Sequence, residues 1–230
     1  MKIAENVTMF DIKFAGNGSF VHPVLVWGGG HLVLIDAGFP GQTEAIIQAI
    51  VDAGFRAEDL TEIILTHQDI DHVGCVLDLL KYALTAKVLA HEKEAPYIDG
   101  RETPIKLATM LKNYDSLPDD RKAWCDKLKV EFANLQIPIS QTLTDGELLP
   151  ICGGIEVVYT PGHTPGHICL FLRDSRIMVG GDAVNIADGQ LTGPNPQNTY
   201  DMELGFQSFE KIKSFNPSGV VSYHCGYLKL

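Results

Sequence analysis

His67-Gln68-Asp69-Ile70-Asp71-His72 follows directly on Glu62-Ile63-Ile64-Leu65-Thr66, a short and nearly all-apolar run. Such a run reads as a strand buried on both faces, so the polar segment leaves the end of a sheet strand. Its imidazoles and carboxylates form a dense supply of ligands for a borderline divalent ion such as zinc. His67, Asp69 and Asp71 alternate, which points them one way in an extended stretch. His72 falls at the start of a helix expected over residues 73–82, with Asp71 as its N-cap. One short segment is thereby expected to serve two adjacent ions.

Other elements repeat the pattern. His163 lies in Thr160-Pro161-Gly162-His163-Thr164-Pro165-Gly166-His167, Asp182 ends Val179-Gly180-Gly181-Asp182, and His224 follows Val220-Val221-Ser222-Tyr223. Strand ends and glycine-rich turns are places where distant segments converge on a rigid scaffold. Taken singly, Asp71 is a helix cap, Asp182 a turn residue and His163 part of a loop. Their coincidence in chain order points instead to a metal site, with Asp182 bridging two ions and His163 and His224 each closing one side. His22, His31 and His91 have no such company and read as structural or surface residues. His167 begins a strand and reads as a local hydrogen-bond partner. Asp36 is either the residue that orients a ligand imidazole or a turn residue before Gly38.

Around these elements, residues 7–14, 21–27, 31–35 and 87–90 are β-rich, and Gly28-Gly29-Gly30 reverses the chain. Ile46, Ile47, Ile50 and Val51 recur at helical spacing in a helix over 42–53 that stops at Gly54. From 91 to 141 proline, charge and short helical stretches (105–114, 121–132) form a helical insertion too short and polar to bury its own core. Strands are expected again over 141–149, 155–160, 167–172, 176–179 and 219–223, with a last helix over 202–215. Strand clusters at both ends predict one domain over 1–230, of two halves packed sheet against sheet with helices outside.

The chain has 230 residues, and its net charge of -11 excludes a basic, phosphate-reading face. The N-terminus lacks the apolar stretch of a signal peptide, and no run approaches the roughly 18 residues of a membrane span. A cytoplasmic protein with a small-molecule substrate, without nucleic-acid or membrane partners, is expected, and a homodimer only from the general frequency of symmetric dimers. Cys75, Cys125, Cys152, Cys169 and Cys225 form no C-x-x-C pair and read as reduced, mostly buried thiols, Cys225 included.

Leu34-Ile35-Asp36-Ala37-Gly38, the segment from Thr66 to His72, the segment from Thr160 to His167, Gly181-Asp182 and Tyr223-His224 together resemble the metallo-β-lactamase superfamily. They run in that family's order from near Asp36 to the C-terminus. The resemblance implies an αββα sandwich of two mixed β-sheets, with the metals at the edge between them. It implies one ion on His67, residue 69 and His163, another on Asp71, His72 and His224, and Asp182 between them. The usual pattern is H-x-H-x-D-H, and Asp69 stands where its second histidine falls. An oxygen donor there shifts preference from zinc towards iron or manganese. The flavodiiron branch also carries a carboxylate at that point, but its flavodoxin-like partner domain has no counterpart here.

The chemistry implied is hydrolysis of a small ester-like substrate, a thioester, lactone or phosphodiester. Two divalent ions would lower the pKa of a bridging water and polarise the scissile group. Asp71, or Asp69 if it is not a ligand, would handle the proton. Tyr223 is read as an oxyanion donor or, more simply, as a packing residue. The 91–141 insertion would wall the pocket, with Trp124, Tyr114 and Tyr97 as apolar contacts. The alternative is a diiron redox or oxygen-sensing protein with the same ligands; a degenerate, non-catalytic metal binder fits the near-complete ligand set poorly.

Overall fold

The computed structural model describes residues 1–14 and 18–230. Strands β1 (Lys2–Ala4) and β2 (Val7–Met9) precede a ribbon of β3 (Ile12–Lys13) and β4 (Phe20–Val21). β5 (Val24–Gly28) and β6 (His31–Ile35) form the hairpin expected at the three glycines. Helix α1 (Thr43–Asp52) buries Ile46 and Ile50, and β7 (Glu62–Leu65) is buried at every position.

After β7 the structure departs from the helix expected over 73–82. Helix α2 (Ile70–Val73) begins earlier, and α3 (Val76–Leu79) is a separate turn. Asp69, not Asp71, occupies the N-cap position of α2, and no side chain caps it. The break has a packing cause. Gly74 passes so close to the preceding loop that a Cβ there would lie 2.3 Å from Pro40 N. The backbone is diverted into that loop, with Gly74 N–H donating to Gly38 O at 2.9 Å and Cys75 N–H to Ala37 O at 3.1 Å.

β8 (Lys87–His91) leads into α4 (Ala95–Ile98), α5 (Ile105–Lys112) and α6 (Asp119–Ala133), the helices of the polar middle segment. The single strand expected over 141–149 is two, β9 (Gln141–Leu143) and β10 (Leu148–Leu149), because the chain crosses there from one sheet to the other. β11 (Ile155–Tyr159), β12 (Ile168–Leu172) and β13 (Ile177–Val179) follow as expected. A ribbon of β14 (Asn185–Ala187) and β15 (Gln190–Thr192) comes before α7 (Met202–Ser214). β16 (Gly219–Ser222) and a further strand, β17 (Gly226–Lys229), end the described chain.

One sheet has the order β1-β2-β5-β6-β7-β8-β9, antiparallel as far as β6 and parallel from β6 to β9. The other has the order β10-β11-β12-β13-β16-β17, antiparallel except for the β13–β16 pair. Strand alternation sorts the apolar residues into layers. Val24, Val26, Val33, Ile35 and Ile64 face Val157, Ile168, Leu170 and Val179 in the core between the sheets. Leu25, Leu34, Ile63 and Leu65 face outward onto Ile46, Ile50, Leu79, Leu107 and Leu128 of the helices. On the far side Val158, Cys169, Met178 and Val220 pack on Ile212 of α7. The result is an αββα sandwich of two mixed sheets. The loops after β7, β11, β13 and β16 meet at one rim, where Ile168 N–H donates to Thr66 O across the sheets at 3.1 Å.

Candidate metal centre

At that rim, ligand atoms of His67, Asp69, His163 and Asp182 lie within 4.8 Å of one another, and those of Asp71, His72 and His224 form a second such set. In the first, Asp69 Oδ2 is 3.1 Å from His67 Nε2 and 3.0 Å from His163 Nε2. In the second, His224 Nε2 is 3.3 Å from Asp71 Oδ2. Asp182 reaches both, 3.3 Å from His163 Nε2, 3.4 Å from His72 Nε2 and 3.3 Å from His224 Nε2. Tetrahedral ligands at about 2.0–2.1 Å from an ion stand ~3.3–3.4 Å apart, close to these separations. His67 Nε2, His72 Nε2 and Asp182 Oδ1 are buried without a hydrogen-bond partner among the described residues. Uncompensated buried polar atoms are costly, and a divalent cation in each ligand set is the group that would satisfy them.

Proton bookkeeping fixes which nitrogens face inward. Thr66 Oγ1 donates to Asp36 Oδ2 at 2.8 Å, so its lone pairs are what His67 Nδ1, 3.0 Å away, can meet. His67 therefore donates from Nδ1 and presents the Nε2 lone pair. His72 donates from Nδ1 to Asp36 Oδ2 at 2.8 Å, which again leaves Nε2 for the site. Of the two readings of Asp36, the orienting role is the one its contacts match. His167 is excluded as a ligand, because its Nε2 accepts the Asp182 backbone N–H at 3.1 Å and its Nδ1 pairs with Thr160 Oγ1 at 2.9 Å. Gly181, at φ 50°, has no room for a side chain, since a Cβ would lie 2.6 Å from that same His167 Nε2.

Burial, helped by neighbouring His72, pushes His67 down to about 3, so its imidazole is neutral, the form that binds metal. Burial opposes the charge on His72, but Asp36, Asp71 and Asp182 hold it well above the ordinary histidine value. The carboxylates divide. Burial raises Asp71. It also works against the charged form of Asp69, where Lys106 and His67 outweigh it and hold the carboxyl well below the usual range.

Two further residues belong to the centre and were not expected. Lys106, in the first turn of α5, donates from Nζ to Asp69 Oδ2 and lies 2.9 Å from His163 Nε2. Glu94 is fully buried and accepts Gln68 N–H at 2.9 Å, Gln68 Nε2–H at 2.8 Å, Thr164 Oγ1–H at 2.8 Å and Gly166 N–H at 2.7 Å. It knots the loop carrying His67 to the loop carrying His163. A cation was foreshadowed only by the aspartate at 69; nothing in the sequence singled out Glu94.

Of the two readings of Tyr223, its contacts match the packing residue and not the oxyanion donor. Its hydroxyl donates to Asp71 O at 2.6 Å and accepts Gly38 N–H at 3.1 Å, and its ring packs on His72. A cavity of about 460 Å³ opens over the ligand sets. Phe39, Met110, Trp124 and Phe132 give it an apolar wall, and Asn198 and Tyr200 line it as well. Tyr114 and Tyr97 do not line it; the Tyr114 hydroxyl is spent on Asp126 Oδ2 at 2.7 Å. Cys225 is exposed rather than packed.

The sequence model of the metallo-beta-lactamase superfamily matches residues 16–224. The chain belongs to the metallo-beta-lactamase superfamily. It is 32% identical over 208 residues to "Probable metallo-hydrolase YflN" of Bacillus subtilis strain 168, covering 84% of this chain and 74% of that one. It is 26% identical over 162 residues to the hydroxyacylglutathione hydrolase GloC of Haemophilus influenzae, covering 70% of this chain and 65% of that one. In fold it is similar to the metallo-beta-lactamase family protein TTHA1429 from Thermus thermophilus. That match has a TM-score of 0.79 at 20% identity and covers 99% of this chain and 76% of that one. These relatives make the chain a member of a metallo-hydrolase superfamily. Among the described residues no helix is long and apolar enough to cross a membrane.

Proposed function

We propose that this chain is a hydrolase of small ester-like substrates that holds two divalent ions at the rim between its sheets. His67, Asp69 and His163 would hold one ion, Asp71, His72 and His224 the other, and Asp182 would bridge them. The observation that carries the reading is that three orphaned buried atoms, His67 Nε2, His72 Nε2 and Asp182 Oδ1, belong to two ligand sets whose members Asp69, Asp71, His163, Asp182 and His224 line an open cavity. Bound there, the ions supply Lewis acidity and a water that loses its proton near neutral pH.

The rest is done by the chain's own residues. Asp36 and Thr66 fix the donor nitrogens of His72 and His67, so both imidazoles are held in advance. His167 steadies the loop of Asp182. Asp71, which lines the cavity, would take and hand on a proton during hydrolysis. The apolar wall with Trp124 takes the non-reacting part of the substrate and keeps water from it.

The net charge of -11 supports a small substrate over a polyanionic polymer. Likeness to a hydroxyacylglutathione hydrolase supports the thioester class, and likeness to an N-acyl homoserine lactonase supports the lactone class. The test is a panel of the three classes against metal-replete protein: turnover of at least one class is expected, and turnover of none contradicts the reading. Asp69 carries a second reading, since its oxygen suits iron or manganese as well as zinc. Coloured, iron-bearing protein purified without added metal would favour redox or oxygen-sensing use.

A further inference from the structure

Counted with the shared Asp182, each ligand set offers two carboxylates and two imidazoles. A cationic side chain, Lys106, stands in only one of them. Its ammonium lies within the first set, bonded to Asp69 Oδ2 and 2.9 Å from His163 Nε2. The hydrogen bonds and ion pairs of Asp71, His72 and His224 among the described residues include no lysine or arginine.

Lys106 is also anchored where it stands. Gln68, the residue between His67 and Asp69, accepts Ile105 N–H on its Oε1 at 2.7 Å. The start of α5 is thus tied to the ligand segment itself, and the ammonium is presented to the same carboxylate each time the loop forms. Its side chain is 39% exposed, which leaves it a path into the cavity. A dication bound to Asp69 and an ammonium bonded to the same oxygen repel one another and compete for one lone-pair region.

We infer that Lys106 is a built-in competitor for the first ion position, so that the two ions load in order. The position of Asp71, His72, His224 and Asp182 fills first. The position of His67, Asp69 and His163 fills second and more weakly, as Lys106 swings off Asp69 into the cavity. This ordering rests on the two-ion reading proposed above.

The test is zinc titrated into metal-free protein and followed by calorimetry, with no substrate present. The unaltered protein is expected to show two steps separated by about 10- to 100-fold in affinity, the range seen when a group adjoining a metal ligand is changed. Lys106→Met is expected to strengthen the weaker step by about tenfold or more and to change the tighter one less, since the ammonium is bonded to Asp69 and acts on Asp182 and Asp71 only through space. Lys106→Arg keeps the charge and is expected to keep the separation. His163→Ala should delete the weak step and His224→Ala the tight one, which assigns them. A Lys106→Met isotherm that superimposes on that of the unaltered protein, both steps present, overturns the ordering. Uptake of no zinc by either protein overturns instead the metal reading beneath it.

Discussion

Asp36 Oδ2 accepts the Nδ1–H of His72 at 2.8 Å from a residue whose backbone stands in the left-handed region at φ 60°. The same carboxylate accepts Thr66 N–H at 2.9 Å and Thr66 Oγ1–H at 2.8 Å, so one buried acid orients both His72 and, through Thr66, His67. Asparagine tolerates that backbone as well as aspartate does. Asp36→Asn should therefore fold, yet turn an amide donor towards the His72 and Thr66 donors. Zinc affinity in competition with a chelator is expected to fall about 10- to 100-fold. Unchanged affinity would show that Asp36 serves the turn alone.

Glu94 should write its own signature into the pH dependence of stability. Burial raises its carboxyl from 4.5 to about 7, against the four hydrogen bonds that favour the charged form. The unfolded chain releases this proton first. Glu94's contribution is therefore full below pH 4.5 and is lost as pH rises through about 7. The shift corresponds to roughly 3 kcal/mol. Glu94→Gln loses acceptors at every pH but carries no such slope. In urea unfolding of the metal-free proteins, its deficit relative to the unaltered protein should narrow by that order between pH 5 and pH 8. A gap that stays constant would show that Glu94 does not titrate in this range.

How much of this was legible beforehand follows from the range of the interactions. The apolar runs ending at Leu65, Val179 and Ser222 mark strands by local composition, and the ligands follow them within a few residues, so sandwich and ligand candidates could both be read. Lys106 and Glu94 act across 37 and 26 residues of sequence, on Asp69 and Gln68. No local pattern says which lysine will meet Asp69. Helix α2 was misplaced for a related reason, because Gly74 makes its contacts with a loop some thirty-five residues earlier. Tyr223 read as a plausible donor only because its distant partners, Asp71 O and Gly38 N–H, were out of sight.

The apolar wall predicts a change in substrate affinity without a change in metal. Trp124 lines the cavity on α6, remote in sequence from the ligands, so Trp124→Ala should leave zinc content intact. For whichever ester the panel reveals, KM should rise about tenfold, the scale of an apolar pocket contact. Loss of zinc would instead make Trp124 part of the scaffold of the centre.

Thiol reactivity offers an independent check on the burial pattern. Cys225 is exposed, Cys75, Cys125 and Cys169 are buried, and burial pushes the half-buried Cys152 up to about 12. A chromogenic disulfide reagent should modify one thiol per native chain rapidly, and Cys225→Ser should abolish that phase. Several fast thiols in the folded protein would contradict the packing described.

The most direct measurement couples metal content to turnover in one preparation. Zinc-replete protein should carry two ions per chain by elemental analysis and hydrolyse at least one of the thioester, lactone and phosphodiester classes. His72→Ala and His163→Ala should each lose metal and activity together. Full metal content in both variants, or two bound ions with no hydrolysis of any class, would contradict the assignment of this rim as a hydrolytic metal centre.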